Sequence, residues 1–154
     1  MKQKYILFPI IFLGFILLDC AGTQQDSIAK TQNVEFLIEQ GELFWQQRSD
    51  SLTLKKAEHF ISLACQQRPG QFDIAILYAQ ILYTRGLFFE KDGETQNSLF
   101  LQASQLCQDA VLNHQDFSVI YNNAQGDSTY KMLTAFAEVP ISVVPGLFWW
   151  ATNL

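Results

Sequence analysis

Apolar residues recur at helical spacing through most of this chain, and this periodicity constrains its fold more than any other feature. After Asn33 the apolar positions fall at i, i+3, i+4, i+7, i+10 and i+11, which places them on one face of a helix. These positions are Val34, Leu37, Ile38, Gly41, Phe44 and Trp45. Similar patterns follow along the chain, and no stretch reads as a strand. The sequence therefore predicts an all-α fold.

Turn and capping residues divide the helical pattern into segments. Ser51 is expected to cap a second helix, and Pro69 followed by a glycine is expected to end it. A third helix from about Gln71 to Phe89 is apolar on nearly all sides, as expected for a helix covered on both flanks. The polar stretch EKDGETQ predicts a loop, and a fourth helix is expected from about Asn97 to Asn113.

Three further elements are expected after the fourth helix. A short element at about Asp116 to Tyr121 lies between two polar stretches. Ser128 is expected to cap a helix that runs to about Ala137. Pro145 opens the last segment at a first-turn position, where proline is tolerated.

Alanines spaced seven residues apart recur in the second and fourth helices, and a proline follows the first pair after five residues. This spacing resembles the second helix of a tetratricopeptide repeat, where only small side chains let the two helices of a unit approach closely. The residues that match this helix are Ala57, Ala64, Pro69, Ala103 and Ala110. In the third helix, Tyr78 and Ala79 stand where the first helix of a repeat has an apolar residue followed by a small one. Two such units in tandem predict a tetratricopeptide-like α-solenoid of antiparallel helix pairs over residues 33–154.

The N-terminus, MKQKYILFPIIFLGFILLDC, has a basic start and an apolar run too short to span a bilayer. A cysteine directly after such a run resembles a lipobox, although Asp19 stands where small residues are usual. We therefore expect residues 1–19 to be a lipoprotein signal peptide, Cys20 to be lipidated and residues 20–32 to be a flexible tether. An ordinary signal peptide cut elsewhere and an uncleaved anchor are the alternatives. Each of these interpretations implies export.

Composition removes several classes of function. The formal net charge is −5 and only 16% of residues are charged, so the chain lacks the basic surface that nucleic acid requires. No nucleophile, phosphate-loop or metalloprotease motif occurs, which predicts a protein that is not an enzyme and uses no cofactor. Cys65 and Cys107 form no CxxC pair, which leaves a metal site unsupported. Both are expected as buried free thiols, with a disulfide between them as the alternative.

The order of these segments resembles one family, the T-component lipoproteins of TRAP (tripartite ATP-independent periplasmic) transporters. The matching stretches are FWQQRSD, LKKAEHF, RPGQ, DIAILYAQILYTRGLF, ASQLCQDAVLNHQDF and VPGLFWWATNL. The resemblance implies an exported lipoprotein of tetratricopeptide-like helix pairs that associates with a periplasmic solute-binding protein and binds hydrophobic ligands. The alternative function is a tetratricopeptide-type lipoprotein scaffold for envelope or outer-membrane assembly. Membrane attachment through the lipid anchor, facing the periplasm and in the outer membrane, is expected in either case.

The last segment is expected to be incompletely covered. In the resembling family an aromatic segment of this kind lies in mid-protein, with further helical repeats after it. We therefore expect the chain to be a truncated form, with a shortened relative as the alternative. Truncation would expose Leu147, Phe148, Trp149 and Trp150, and such an apolar patch favours self-association into a homo-oligomer.

Aromatic residues make up 14% of the chain and supply the candidate ligand or partner surface. Aromatic side chains of this kind line hydrophobic grooves in binding proteins, and the alternative is that most of them form the core of the repeats. The candidates are Trp45, Tyr78, Tyr83, Phe88, Phe89, Trp149 and Trp150.

Overall fold

The computed structural model describes residues 33–154, and that part of the chain is all-α, as predicted. Within it there are seven helices and no strand. The helices are α1 (33–46), α2 (Ser51–Gln67), α3 (Phe72–Phe88), α4 (Gly93–Asn113), α5 (Gln115–Asn123), α6 (Ser128–Ala137) and α7 (Val144–Thr152). The expected signal peptide, the lipidation site Cys20 and the tether lie outside the described residues.

The chain divides into two compact units after Phe36. Of the first unit, only residues 33–36 are described, and they are helical. The second unit, Leu37–Leu154, contains the remaining part of α1 and all of α2 to α7. The packing described below lies entirely within this second unit.

Aspartates cap three of the helices, and in two of these the aspartate stands one residue before the serine that the sequence suggested as the cap. The Asp50 side chain accepts hydrogen bonds from the backbone N–H groups of Leu52 and Thr53, at 2.9 and 3.0 Å. Asp127 accepts one from the Tyr130 N–H, so Ser51 and Ser128 are the first helical residues and not the caps. A carboxylate binds these unpaired N–H groups and also favours the positive end of the helix dipole.

Helix α4 begins at Gly93, which makes the predicted loop shorter than expected. Asp92 accepts a hydrogen bond from the Thr95 N–H at 2.9 Å and so starts the helix four residues before Asn97. The GETQ half of the polar stretch is therefore helical. A cap contact of this kind is strong enough to offset the low helix propensity of one glycine at the first turn.

Helices α3 and α4 form the central antiparallel pair. The ring of Phe72, at the start of α3, lies 4.8 Å from the ring of His114, directly after α4. Near the other end of the pair, the rings of Tyr83 and Phe100 are 5.5 Å apart. Ala79 and Ala103 are fully buried in the core between these helices. The small side chains at these two positions leave room for α3 and α4 to pack against each other.

Helices α1 and α2 approach each other in the same way. A Cβ atom added to Gly41 would clash with the side chain of Ile61, so a larger residue at this position would force that fully buried side chain to move. The rings of Phe44 and Phe60 stack at 5.7 Å in the same interface. Ala57 and Ala64 are fully buried, and Pro69 is exposed after the end of α2, where a proline stops helix propagation.

The C-terminal helices add a second core. Phe117 of α5 is fully buried, and its ring lies 5.5 Å from that of Phe136 in α6. Helix α7 then packs against α4 and α3, with Gly146 in contact distance of both Val111 and Phe72. Helix α7 therefore starts beside the beginning of α3 and the end of α4. It ends near the last turns of α3 and the first turns of α4.

Candidate binding surface

The expectation that the tryptophans of the last segment are largely uncovered is wrong. Trp149 and Trp150 are each half-buried and pack against the core between α3 and α4. Trp150 also joins the second core, where its ring lies 6.1 Å from that of Phe136. The outer face of α7 is exposed instead, with Phe148 at 60%. The groove between α3 and α4 therefore covers one side of the aromatic segment.

Tyr83 and Trp149 are the two candidates that the fold brings together. Their rings contact edge to face at 5.7 Å, and Phe100 contacts the other side of Tyr83 at 5.5 Å. Both side chains are half-buried. They therefore agree better with the alternative that the aromatic residues form the core than with a free binding surface. Tyr83 also lines the cleft described below.

The remaining candidates are dispersed. Trp45 lies at the end of α1, where the Arg48 guanidinium sits 4.0 Å above its ring. Tyr78 is half-buried in α3. Its hydroxyl has a raised pKa, mainly because it is buried and secondly because the Glu58 carboxylate is nearby. Phe89 is half-buried after α3, whereas Phe88 is 70% exposed. Phe88 is therefore the candidate side chain most available to a partner.

A cleft of about 490 Å³ opens where the end of α3, the start of α4 and the end of α7 meet. It is mainly apolar and carries no charged side chain. Its walls are Tyr83, Leu87, Asn97, Phe100, Leu101, Thr152, Asn153 and Leu154. The aromatic content of the sequence pointed to Tyr83, but nothing in the periodicity pointed to the polar residues of this cleft.

Asn153 is the buried polar residue of this cleft, with only 3% of its surface exposed. Its side-chain nitrogen donates a hydrogen bond to the Trp149 carbonyl oxygen at 2.6 Å. Its Oδ1 atom is buried and accepts no hydrogen bond within residues 33–154. Buried polar atoms without a hydrogen-bond partner are uncommon in folded proteins. Among residues 33–154, this oxygen is the one buried side-chain atom of that kind.

A second, polar groove lies between α2 and α3. Arg85 donates a hydrogen bond to the Glu58 carboxylate at 2.6 Å, and both side chains are partly shielded from solvent. Lys55, His59 and Ser62 line the same groove. This ion pair links the two helices, and the exposed side chains of Lys55 and His59 lie beside it.

The cysteines of the described chain are both free thiols, so the alternative of a disulfide between them is wrong. Cys107 is buried as expected, and burial raises its pKa to about 12. Cys65 is only half-buried, and its pKa is raised in the same direction and for the same reason.

Residues 33–154 contain no group of three or more His, Cys, Asp or Glu side chains placed to hold a metal ion. In the same range, none of the helices has the length and apolar character needed to cross a membrane. The exposed carboxylates of Glu39 and Glu42 lie on the solvent side of α1. No converging pair of acids for general acid–base chemistry is found among them.

Comparison with protein-family models, with curated proteins and with solved structures finds no match for this chain.

Proposed function

We propose that this chain is an exported lipoprotein that serves as the T-component accessory of a TRAP-type solute uptake system. In this role it is anchored to the membrane, faces the periplasm, and binds a periplasmic solute-binding protein as well as hydrophobic ligands. The proposal rests on the ordered resemblance of the sequence stretches given above and on the helix packing of the second unit. Neither an enzyme active site nor a cofactor is part of it.

The observation that carries the proposal is the close approach of two successive helix pairs through glycine and alanine. Gly41 of α1 lies against Ile61 of α2, and fully buried Ala79 and Ala103 join α3 to α4. We interpret the two pairs as degenerate tetratricopeptide-like repeats stacked in a solenoid. Repeats of this kind present extended surfaces for protein partners, which suits an accessory subunit.

Phe88 is the side chain that we expect to anchor the solute-binding protein. It is 70% exposed at the end of α3, and the exposed Leu87 precedes it. Exposed aromatic side chains commonly supply a large part of the binding free energy of an interface. An exposed aromatic residue next to a second apolar one therefore favours a docking role over a purely structural one.

Capture from an envelope extract tests this proposal. We expect the tagged chain to retain a solute-binding protein whose gene lies beside that of a TRAP permease. The Phe88→Ser variant should retain much less of it, whereas Leu133→Ser, which changes a comparably exposed residue of α6, should behave as the wild type does. Retention of an outer-membrane assembly machine instead would support the alternative scaffold function and contradict the transport role.

The lipid anchor has a separate test. Cells that express the full chain should incorporate radiolabelled palmitate into it, and the Cys20→Ala variant should incorporate none, because the thioether bond needs the thiol. Under the common sorting rule, the residue directly after the lipidated cysteine decides whether a lipoprotein is transferred to the outer membrane. Ala21 stands at this position, so we expect to find the label in the outer membrane. Labelling that survives Cys20→Ala would contradict the lipoprotein assignment.

A further inference from the structure

The end of α7 combines an apolar cleft with a buried hydrogen-bond acceptor that has no donor. The orientation of the Asn153 amide follows from its partner, because the Trp149 carbonyl oxygen can only accept a hydrogen bond. The nitrogen of the amide must therefore face Trp149, and Oδ1 must face away from it. No described residue donates to that oxygen. A donor brought by a bound molecule would remove the cost of this unpaired oxygen.

The rest of the cleft defines the chemistry of such a molecule. Tyr83, Leu87, Phe100 and Leu101 supply apolar contact area, and no charged side chain lines the cleft. A volume of about 490 Å³ lies within the range of about 300–1,000 Å³ that small-molecule sites occupy. An anionic ligand would lose its hydration without gaining a positively charged side chain as a partner, which disfavours fatty-acid anions.

We propose that this cleft binds a neutral amphiphile that has an apolar chain or ring and one hydroxyl or N–H group, and that Asn153 Oδ1 accepts the hydrogen bond from that group. Asn153 itself forms part of the wall, and the proposed hydrogen bond requires its buried Oδ1 to become accessible from the cleft. The inference rests on the ligand-binding part of the proposed function and does not depend on the solute-binding protein.

The test compares two probes of the same chain length. 1-Octanol carries a hydroxyl donor, and methyl octanoate has acceptors only. In calorimetric titrations of the full chain we expect saturable binding of 1-octanol and about fivefold to tenfold weaker binding of methyl octanoate, the effect of one hydrogen bond. The Asn153 side-chain amide resonance should shift along the same binding curve. Octanoate, which is charged, should bind more weakly than the alcohol.

Two variants make the result specific to the cleft. Leu101 is 67% exposed at its rim, so Leu101→Asp should leave the fold intact and weaken both probes at least tenfold. Leu133→Asp, at a comparably exposed position on α6, is the matched control and should bind as the wild type does. Asn153→Leu should remove the preference for alcohol over ester and retain binding of the ester.

Three outcomes would overturn the inference. Equal binding of 1-octanol and methyl octanoate would mean that no hydrogen bond is formed to Asn153. If the probes bind without saturation and equally to Leu101→Asp and Leu133→Asp, they partition nonspecifically onto the apolar surface of the protein. A change of oligomeric state in Leu101→Asp without alcohol binding by the wild type would show that a second copy occupies the cleft. Because the probes need no protein partner, failure here is distinguishable from failure of the capture experiment.

Discussion

Gly41 sets how closely α1 approaches α2. A Cβ atom at this position would meet both Cδ1 and Cγ1 of Ile61, at 2.4 and 2.5 Å, and Ile61 is fully buried. We expect Gly41→Ala to lower the free energy of unfolding by about 1–3 kcal/mol, as overpacked cores do. Gly93 has no neighbouring heavy atom within 4 Å of an added Cβ. Gly93→Ala should therefore raise stability by up to about 1 kcal/mol.

Urea denaturation of the two glycine variants measures both effects. The informative quantity is the difference between their unfolding free energies, because each substitution adds the same methyl group. Stability of Gly41→Ala equal to that of Gly93→Ala would contradict the close approach of α1 and α2.

The thiol of Cys107 makes stability depend on alkaline pH. Its pKa is raised by burial from the ordinary 9.0 to about 12 in the folded chain. Between these values the unfolded chain releases the proton and the folded chain keeps it, so the free energy of unfolding falls as pH rises. The contribution is complete below pH 9. We expect the unfolding free energy of Cys107→Ala to fall less steeply than that of the wild type above this pH.

Denaturation curves between pH 8 and pH 11 test this dependence. The comparison with Cys107→Ala isolates the thiol, since Tyr78 and other alkaline groups titrate in both proteins. Parallel loss of stability in the two proteins would show that Cys107 is not protected in the folded state.

At the scale of single elements, the cap of α2 distinguishes Asp50 from Ser51. Hydrogen bonds from the Thr53 backbone N–H and hydroxyl hold the pKa of Asp50 below its ordinary 3.8. A lowered pKa contributes stability above pH 3.8 that is lost as pH falls through the folded pKa. We expect Asp50→Ala to lower the Tm at pH 7 more than Ser51→Ala does. The difference between Asp50→Ala and the wild type should shrink below pH 3.8.

Thermal unfolding followed by circular dichroism measures both variants. Asp50→Asn keeps an oxygen acceptor and is the control, because it should lose less than Asp50→Ala at pH 7. A larger Tm loss in Ser51→Ala than in Asp50→Ala would restore the serine as the cap.

Sequence periodicity predicted helices such as α2 and α4 because each of these two buries a single face. The apolar residues that recur at helical spacing in α2 and α4 include Leu54, Ile61, Leu99 and Cys107, and all four are buried. The start of α4 was missed because the Asp92 cap makes GETQ helical despite its polarity. Local composition shows that a segment can form a loop, but only the cap contact decides where the helix begins.

The binding surface was less predictable, because it depends on contacts between distant segments. The pattern in VPGLFWWATNL showed an apolar helix but not that Trp149 would meet Tyr83, which lies far earlier in the chain. Asn153 was equally hidden. Its significance lies in a hydrogen bond that is not made, and no residue pattern encodes the absence of a partner.

At the scale of the whole second unit, two closely packed helix pairs carry an additional hairpin and a final aromatic helix. Covering Trp149 and Trp150 leaves Phe88 at 70% and Phe148 at 60% as large exposed aromatic residues on α3 and α7. Exposed apolar side chains on a packed helical scaffold are consistent with the proposed accessory protein, whose function is to bind a protein partner. The cleft at Asn153 adds a place for a small molecule.

The most direct test of the central claim is a binding measurement with two purified proteins. These are the full chain and the solute-binding protein whose gene lies beside that of a TRAP permease. Surface plasmon resonance should give saturable binding to the wild type. Phe88→Ser should weaken it at least tenfold, about 1.4 kcal/mol, and Leu133→Ser should leave it unchanged. Absence of binding to the wild type, or equal weakening by the two variants, would contradict the account.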